Sequence, residues 1–299
     1  MARIMRLPAQ EYISTRRDLL RKMLVGGLTV STLALWEEEA EAGPFRPSVA
    51  EQKKLGKTAA EDILKKHKEV QDDRARSFRR VGTNLIDALP EKERTRWDFS
   101  FRVLDNKEVN AFALPGGPMF IYTGLLDRIQ SADELAAVTG HELAHVREEH
   151  WARQYESEMG RTIGLELLLG VTRTKGAIGD LARAANGLLS LNYSRKEEDQ
   201  ADDKGLQNMN GAGYDPGGMI DLFDTLKKAS GNKNEGPDFL RSHPLTENRI
   251  RRTRERIEKL KQQPTPKRDP NRDQTDRTPP RERAPSPERD RYRDPNPDD

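Results

Sequence analysis

Ser131-Ala-Asp-Glu-Leu-Ala-Ala-Val-Thr-Gly-His-Glu-Leu-Ala-His-Val146 is the stretch on which the reading of this chain turns. At its centre, His141-Glu142-Leu143-Ala144-His145 sets two histidines four residues apart. On a helix that is about one turn, ~6 Å along the axis and on nearly the same face, so both imidazoles can reach one metal ion. Glu142 then lands beside the ion. A carboxylate there can take a proton from a water that zinc has made acidic, which is the chemistry of metal-dependent peptide hydrolysis. The reading needs a helix, and local signals predict one. Ser131 and Glu134 make a Ser-x-x-Glu capping box, and Asp133 suits the positive end of the helix dipole. Leu135, Val138, Leu143 and Val146 recur at helical spacing, which predicts a buried helix. Gly140 is the one poor helix former, and close packing against a neighbouring element is its expected reason.

Composition bounds what surrounds this helix. Hydrophobic residues are 34% of the 299, so part of the chain lies outside any core. The 52 basic and 50 acidic residues nearly cancel to +2, which offers no argument for nucleic acid as a partner. There is no cysteine, so disulfides and thiolate ligands are excluded and a metal must be held by histidine and carboxylate.

Upstream, the period changes to two from Arg96 to Tyr122. Phe99, Phe101 and Val103 alternate, then Val109, Phe112 and Leu114, and Met119 to Tyr122 follow a Pro115-Gly-Gly-Pro118 turn, which predicts a small antiparallel sheet. Asn110, Ala111, Phe112 and Ala113 form the strand expected to bind substrate, because a free sheet edge can take an extended peptide as a further strand; the pattern alone fits a plain core strand equally well. Ser48 to Leu89 carries Leu55, Ile63, Leu64, Val70, Phe78, Val81, Leu85 and Ile86 among charges, the pattern of one or two amphipathic helices bracing the core. His67, inside Lys65-Lys66-His67-Lys68, reads as part of a solvated face. Residues 1–42 have the form of an export signal: a basic start, the apolar run Met23 to Trp36, and Ala40-Glu41-Ala42 as the cleavage site. Arg16-Arg17 fits a twin-arginine signal as well as the general secretory route. Glu37-Glu38-Glu39 keeps open an uncleaved, membrane-anchored segment.

Downstream, Ile163 to Val171 is apolar but too short to span a bilayer, so a buried helix or a peripheral contact with lipid is expected. A helix follows from Tyr193 to about Asn210, another to Ser230, and a basic one from Pro244 to about Gln262. His150, just over a turn past His145, is expected to pack locally. Gln263 to Asp299 holds 9 of the 18 prolines with interleaved Arg and Asp, and reads as a disordered tail.

Two histidines leave tetrahedral zinc short of a protein ligand if water is to keep the fourth position. With no cysteine, Glu197, Glu198, Asp199 and Asp202 are the candidates by chemistry. Four blocks together resemble the metallopeptidase family that includes HtpX, the periplasmic proteases BepA and LoiP, and the CAAX prenyl endopeptidases. They are Asn110-Ala-Phe-Ala-Leu-Pro-Gly-Gly117, His141-Glu-Leu-Ala-His145, Ser194-Arg-x-x-Glu198-x-x-Ala201-Asp202 and His243-Pro-x4-Arg249, in the family's order. The resemblance implies that Glu198 is the third ligand of one zinc ion and that Asp202 orients His145 or His141. It implies that His243 and Arg249 lie over the metal, stabilising an oxyanion; in BepA-like members the histidine closes the site as a fourth ligand instead. The chain has no membrane-spanning helix after residue 42, so the soluble periplasmic branch is the closer likeness.

The expected fold is α+β, mainly α: a gluzincin-type zinc peptidase domain over residues 48–262, with a small antiparallel sheet and a helical brace. The expected activity is that of a zinc metalloendopeptidase with Glu142 as base, acting in the periplasm or outer envelope on unfolded or misassembled exported proteins. The alternative is a zinc-bound, chaperone-like or autoinhibited protein whose site His243 closes.

Overall fold

A computed structural model of the chain describes residues 45–168, 192–230 and 237–262. The leader and the tail expected at 1–42 and 263–299 lie outside the described residues. The described residues divide into two compact units, residues 49–151 with 192–230 and 237–262, and residues 45–48 with 152–168. The larger unit runs α1 (Val49–Lys66), β1 (Glu69–Val70), α2 (Asp73–Asp87), α3 (Glu91–Arg96), β2 (Ser100–Leu104), β3 (Ala111–Ala113), β4 (Pro118–Tyr122), α4 (Thr123–Leu126) and α5 (Ala132–Arg147). After α6 (His150–Leu168) it resumes with α7 (Arg195–Gly211), α8 (Gly218–Ser230), α9 (Asp238–Ser242) and α10 (Glu247–Lys261). In the smaller unit, Arg46 Nε donates to Glu156 Oε2 at 2.9 Å. The apolar stretch expected after the metal helix falls partly within α6 and partly outside the described residues. No helix among the described residues is long and apolar enough to cross a membrane.

The sheet is mixed, not antiparallel throughout, with strand order β1-β2-β4-β3. β1 pairs with β2 and β3 with β4 in antiparallel register, but β2 and β4 run parallel. The alternation of apolar residues predicts strands and faces; it carries nothing about order. Here the β3–β4 hairpin folds back so that β4 lies in the middle and β3 becomes the edge. Its turn needs left-handed backbone at Gly116 (φ 83°) and Gly117 (φ 127°), where a side chain would be strained. Because the side-chain period is two, Met119 and Ile121 join Phe101, Val103 and Ala111 in the main core, against Phe78, Val81 and Leu85 of α2. Phe120 and Tyr122 turn the other way, with the Phe112 ring stacked on Phe120 at 5.3 Å. The expected brace is therefore part of the core itself.

Helix α5 is the central element. Every residue from Glu134 to Val146 is buried, against α2, α7, α8 and β3. Ser131 caps it by accepting from Glu134 N at 3.0 Å. The other half of the expected capping box closes one residue early, since Glu134 Oε2 accepts from Gln130 N at 2.7 Å. Gly140 meets Gly205 of α7: a Cβ on Gly205 would stand 3.1 Å from His141 N and 3.2 Å from Gly140 C. The poor helix former is explained as expected, because two hydrogens in place of two methyls let the helix backbones cross in contact.

Candidate active site

The close crossing of α5 and α7 decides what faces what. Four residues apart on α7, Glu198 and Asp202 project toward His141 and His145 on α5. Ser194 starts α7 with a closed capping box to Glu197, which takes that acid out of the site. Asp199 turns away to a two-pronged pair with Arg256, 3.0 and 2.9 Å. Of the four acids that chemistry left open, Glu198 and Asp202 are the buried ones beside the histidines.

His243 arrives from a third direction. It caps the short helix α9, an element the sequence pattern does not reveal, and its ring stacks on Phe239 at 4.5 Å. Thr246 then caps α10, three residues later than Pro244 suggested, and Arg249 in its first turn points inward.

Donor atoms of His141, His145, Glu198 and His243 all lie within 4.8 Å of one another, and all four residues are buried. His141 Nε2 stands 3.1 Å from His145 Nε2 and 3.3 Å from His243 Nδ1. Glu198 Oε1 is 2.8 Å from His243 Nδ1 and 3.4 Å from His145 Nε2, and Glu198 Oε2 is 3.6 Å from His141 Nε2. A tetrahedral ion with bonds of about 2.0 Å has its ligand atoms about 3.3 Å apart, so these residues fit one metal. His141 Nδ1 meets Asp202 Oδ1 at 3.0 Å, so of the two histidines it is His141 that Asp202 contacts. Arg249 donates to Asp202 Oδ2 at 2.6 Å and Oδ1 at 2.8 Å, and its guanidinium also touches Glu198. Tyr193 lies over His145 with ring centroids 3.9 Å apart.

Glu142 bridges the donor set and the sheet. Its Oε2 accepts from Ala113 N of the edge strand at 2.8 Å. Its Oε1 is buried without a hydrogen-bond partner among the described residues, 3.4 Å from His243 Nε2. Such an orphaned acceptor is costly unless something polar comes to meet it. Asn110 precedes the edge strand and its carbonyl accepts from Tyr122 N at 3.0 Å. Phe112 pairs with Phe120, while the backbone groups of Ala111 and Ala113 face away from β4 by the alternation of an antiparallel ladder.

The electrostatics suit cation binding. Burial alone would raise the Glu198 carboxyl, but His243, Arg249 and His141, with a bond from His145, hold it well below the usual carboxylate range. Burial likewise opposes ionisation of Asp202, and Arg249 and His141 outweigh it. Burial keeps His145 well below the ordinary imidazole value, hence neutral, as a ligand must be. His243 is raised, because Glu198 and Glu142 outweigh its desolvation. Burial raises Glu142 despite His243 and His141, in the direction a general base requires.

His67 is half-buried, its ring 6.4 Å from that of Tyr122, and stays outside the donor set. Two further aromatic rings flank His145, of which the sequence read Tyr193 only as the start of a helix and His150 only as local packing. Tyr193 has no spacing signal to announce it. His150 had one, as a further histidine close behind the pair, and it sits with Nδ1 2.8 Å from His145 Nδ1.

A mainly helical domain with a small sheet, and a buried His-His-Glu set beside a glutamate on the same helix, define a gluzincin-like metallopeptidase. Consistent with that class, a model of peptidase family M48 matches residues 72–257, more than half of the chain. The chain belongs to peptidase family M48. Among relatives, it is 33% identical over 166 residues to a putative beta-barrel assembly-enhancing protease of Vibrio cholerae, covering 53% of this chain and 34% of that one. It is 32% identical over 172 residues to the mitochondrial metalloendopeptidase OMA1 of Schizosaccharomyces pombe, covering 54% and 46%. It is 28% identical over 163 residues to the metalloprotease YcaL of Escherichia coli, covering 53% and 62%. The match thus spans about a third of the beta-barrel assembly-enhancing protease.

Proposed function

We propose that this protein is a zinc-dependent metalloendopeptidase in which His141, His145 and Glu198 hold the ion and Glu142 is the general base. The observation that carries the reading is the convergence of three helix-borne donors at tetrahedral spacing beside Glu142, whose Oε1 is buried and unpartnered. Zinc in that set supplies a Lewis acid that makes water a nucleophile at neutral pH and polarises the scissile carbonyl. Glu142 takes the proton of the attacking water and then delivers it to the leaving amine. Its bond from Ala113 N ties the base to the edge strand, so a peptide added along Asn110 to Ala113 has its carbonyl carried past the carboxylate. Asp202 fixes His141, and Arg249, committed to Asp202 and Glu198, fixes both acids.

The setting belongs to the same proposal. A cleaved leader at 1–42, a catalytic domain over 48–262 and a charged, proline-rich tail from 263 describe an exported enzyme of the periplasm or outer envelope. Relatives named for beta-barrel assembly support unfolded or misassembled exported proteins as substrates. The test is Glu142→Gln, which is expected to keep fold and zinc content while losing at least about 1000-fold in cleavage of an unfolded protein such as casein. Cleavage at the wild-type rate would remove Glu142 from its role.

One observation favours a second reading. His243 Nδ1 lies within the donor set, and four protein ligands would close the ion to water. His243 as a lock predicts that His243→Ala raises casein turnover; His243 as an oxyanion donor predicts that it falls.

A further inference from the structure

Among the described residues, Glu149 is the one non-glycine with positive φ, 53°. Gln52 Nε2 donates to its carboxylate at 2.8 Å and the Arg96 guanidinium also binds it, so the left-handed turn is held from both sides. The turn ends α5 and restarts the chain as α6 at His150. On an unbroken helix, a residue five beyond His145 would face about 140° away from it. The break instead brings His150, fully buried, to 2.8 Å between its Nδ1 and Nδ1 of His145, the ring nitrogen opposite the donor set. A strained backbone that swings one side chain onto a metal-site residue indicates a task for that side chain.

We propose that His150 is a positioning residue that holds His145 in the tautomer able to bind a metal, through a chain of hydrogen bonds that begins at Glu148. The inference rests on the reading of the site as a zinc centre. Its logic runs inward from the helix end. Gln200 Nε2 donates to Glu148 Oε2, and since a carboxylate only accepts, the amide of Gln200 must present its oxygen to His150. That oxygen, 3.1 Å from His150 Nε2, also only accepts, so the proton of neutral His150 sits on Nε2 and its Nδ1 keeps a lone pair. Two facing ring nitrogens share one proton, so His145 Nδ1–H donates to His150. The lone pair of His145 Nε2 is then left pointing at His141 and Glu198. Gln200 lies on α7 two residues past Glu198, so the same helix that brings the acid also brings the group that sets the distant proton. With Asp202 on His141, each histidine of the pair has its outer nitrogen fixed by a different partner.

The experiment is zinc affinity of the purified full chain, by competition with a chromophoric chelator, with thermal melting of each metal-free protein recorded alongside. His150→Phe keeps a ring in the space but offers no acceptor, and is expected to weaken zinc binding about 10–100-fold. His150→Asn places a carbonyl oxygen where Nδ1 stood and is expected to recover most of that loss, although it packs worse. A packing role alone predicts the opposite order, with Phe the better tolerated, and that result would overturn the proposal. If His150→Phe does not fold, Gln200→Met decides: a loss of about 3–10-fold is expected, and binding equal to wild type overturns the relay. A wild-type chain that binds no zinc sinks the metal-centre reading itself, whereas tight wild-type binding with no loss in the variants sinks only the role of His150.

Discussion

Arg249 is the permanent cation among three buried acids, Glu142, Glu198 and Asp202, and it touches the last two. Removing one partner from a buried ionic set leaves the others without compensation, which typically costs 3–5 kcal/mol. Arg249→Met is therefore expected to lose about 3–5 kcal/mol in urea unfolding of the metal-free protein, and to regain part of it when zinc is added, because the cation then neutralises Glu198. Asp202→Asn tests the other side of the same residue set. An amide at 202 can present a donor to His141 Nδ1 and so favour the wrong tautomer, and zinc affinity should fall about 10–100-fold. The three residues of His-Glu-x-x-His were legible because their chemistry is local to one turn. Glu198 was one of four acids on equal footing by chemistry, and it was singled out only by family resemblance. Burial separates it from Glu197 and Asp199 in the folded chain.

At the level of elements, the site depends on how closely α5 and α7 cross. Gly205→Val would push side-chain carbon into the backbone at Gly140 and His141, and is expected to cost about 1–3 kcal/mol of stability and to weaken zinc binding. Loss of metal affinity with little change in stability would show that the crossing sets geometry more than packing. Helix α2 gives a pH test. Asp72 caps it, accepting from Arg74 N at 3.0 Å and Ala75 N at 3.2 Å. Burial would raise this carboxyl, but the Arg74 side chain and those backbone bonds outweigh it and hold it below its ordinary value. A group depressed in the folded state stabilises above its unfolded pKa, about 4, and stops doing so as pH falls through the lower folded value. Asp72→Ala should therefore cost about 0.5–1 kcal/mol at pH 7, and the gap from wild type should close below about pH 4, as read from urea midpoints. Helix α5 could be read from its cap and period. The left-handed turn at Glu149 could not, because its hold comes from Gln52 and Arg96, far away in the chain.

For the whole molecule, the proposed domain limits make a direct prediction: a fragment of residues 48–262 should bind zinc as tightly as the full chain and cleave casein at a similar rate. A fragment that fails to bind would assign a structural role to the flanking residues, against their reading as leader and tail. What the amino-acid order determined alone is whatever depends on neighbours within a turn or two: the helix that carries the histidine pair, its cap, the strand alternation and the charged flanks. Helical and pleated periods are local properties, so they appear in the residue pattern itself. Only tertiary structure decided the parallel pairing of β2 with β4, the arrival of His243 on α9, the commitment of Arg249 to two acids and the contact of His150 with His145. His243 lies 102 positions from His141 and Asp202 lies 61, and apart from the family resemblance nothing in a linear pattern ranks such pairs. Their meeting follows from two glycines that let the helices close and from a core whose burial outweighs the cost of gathering the charges.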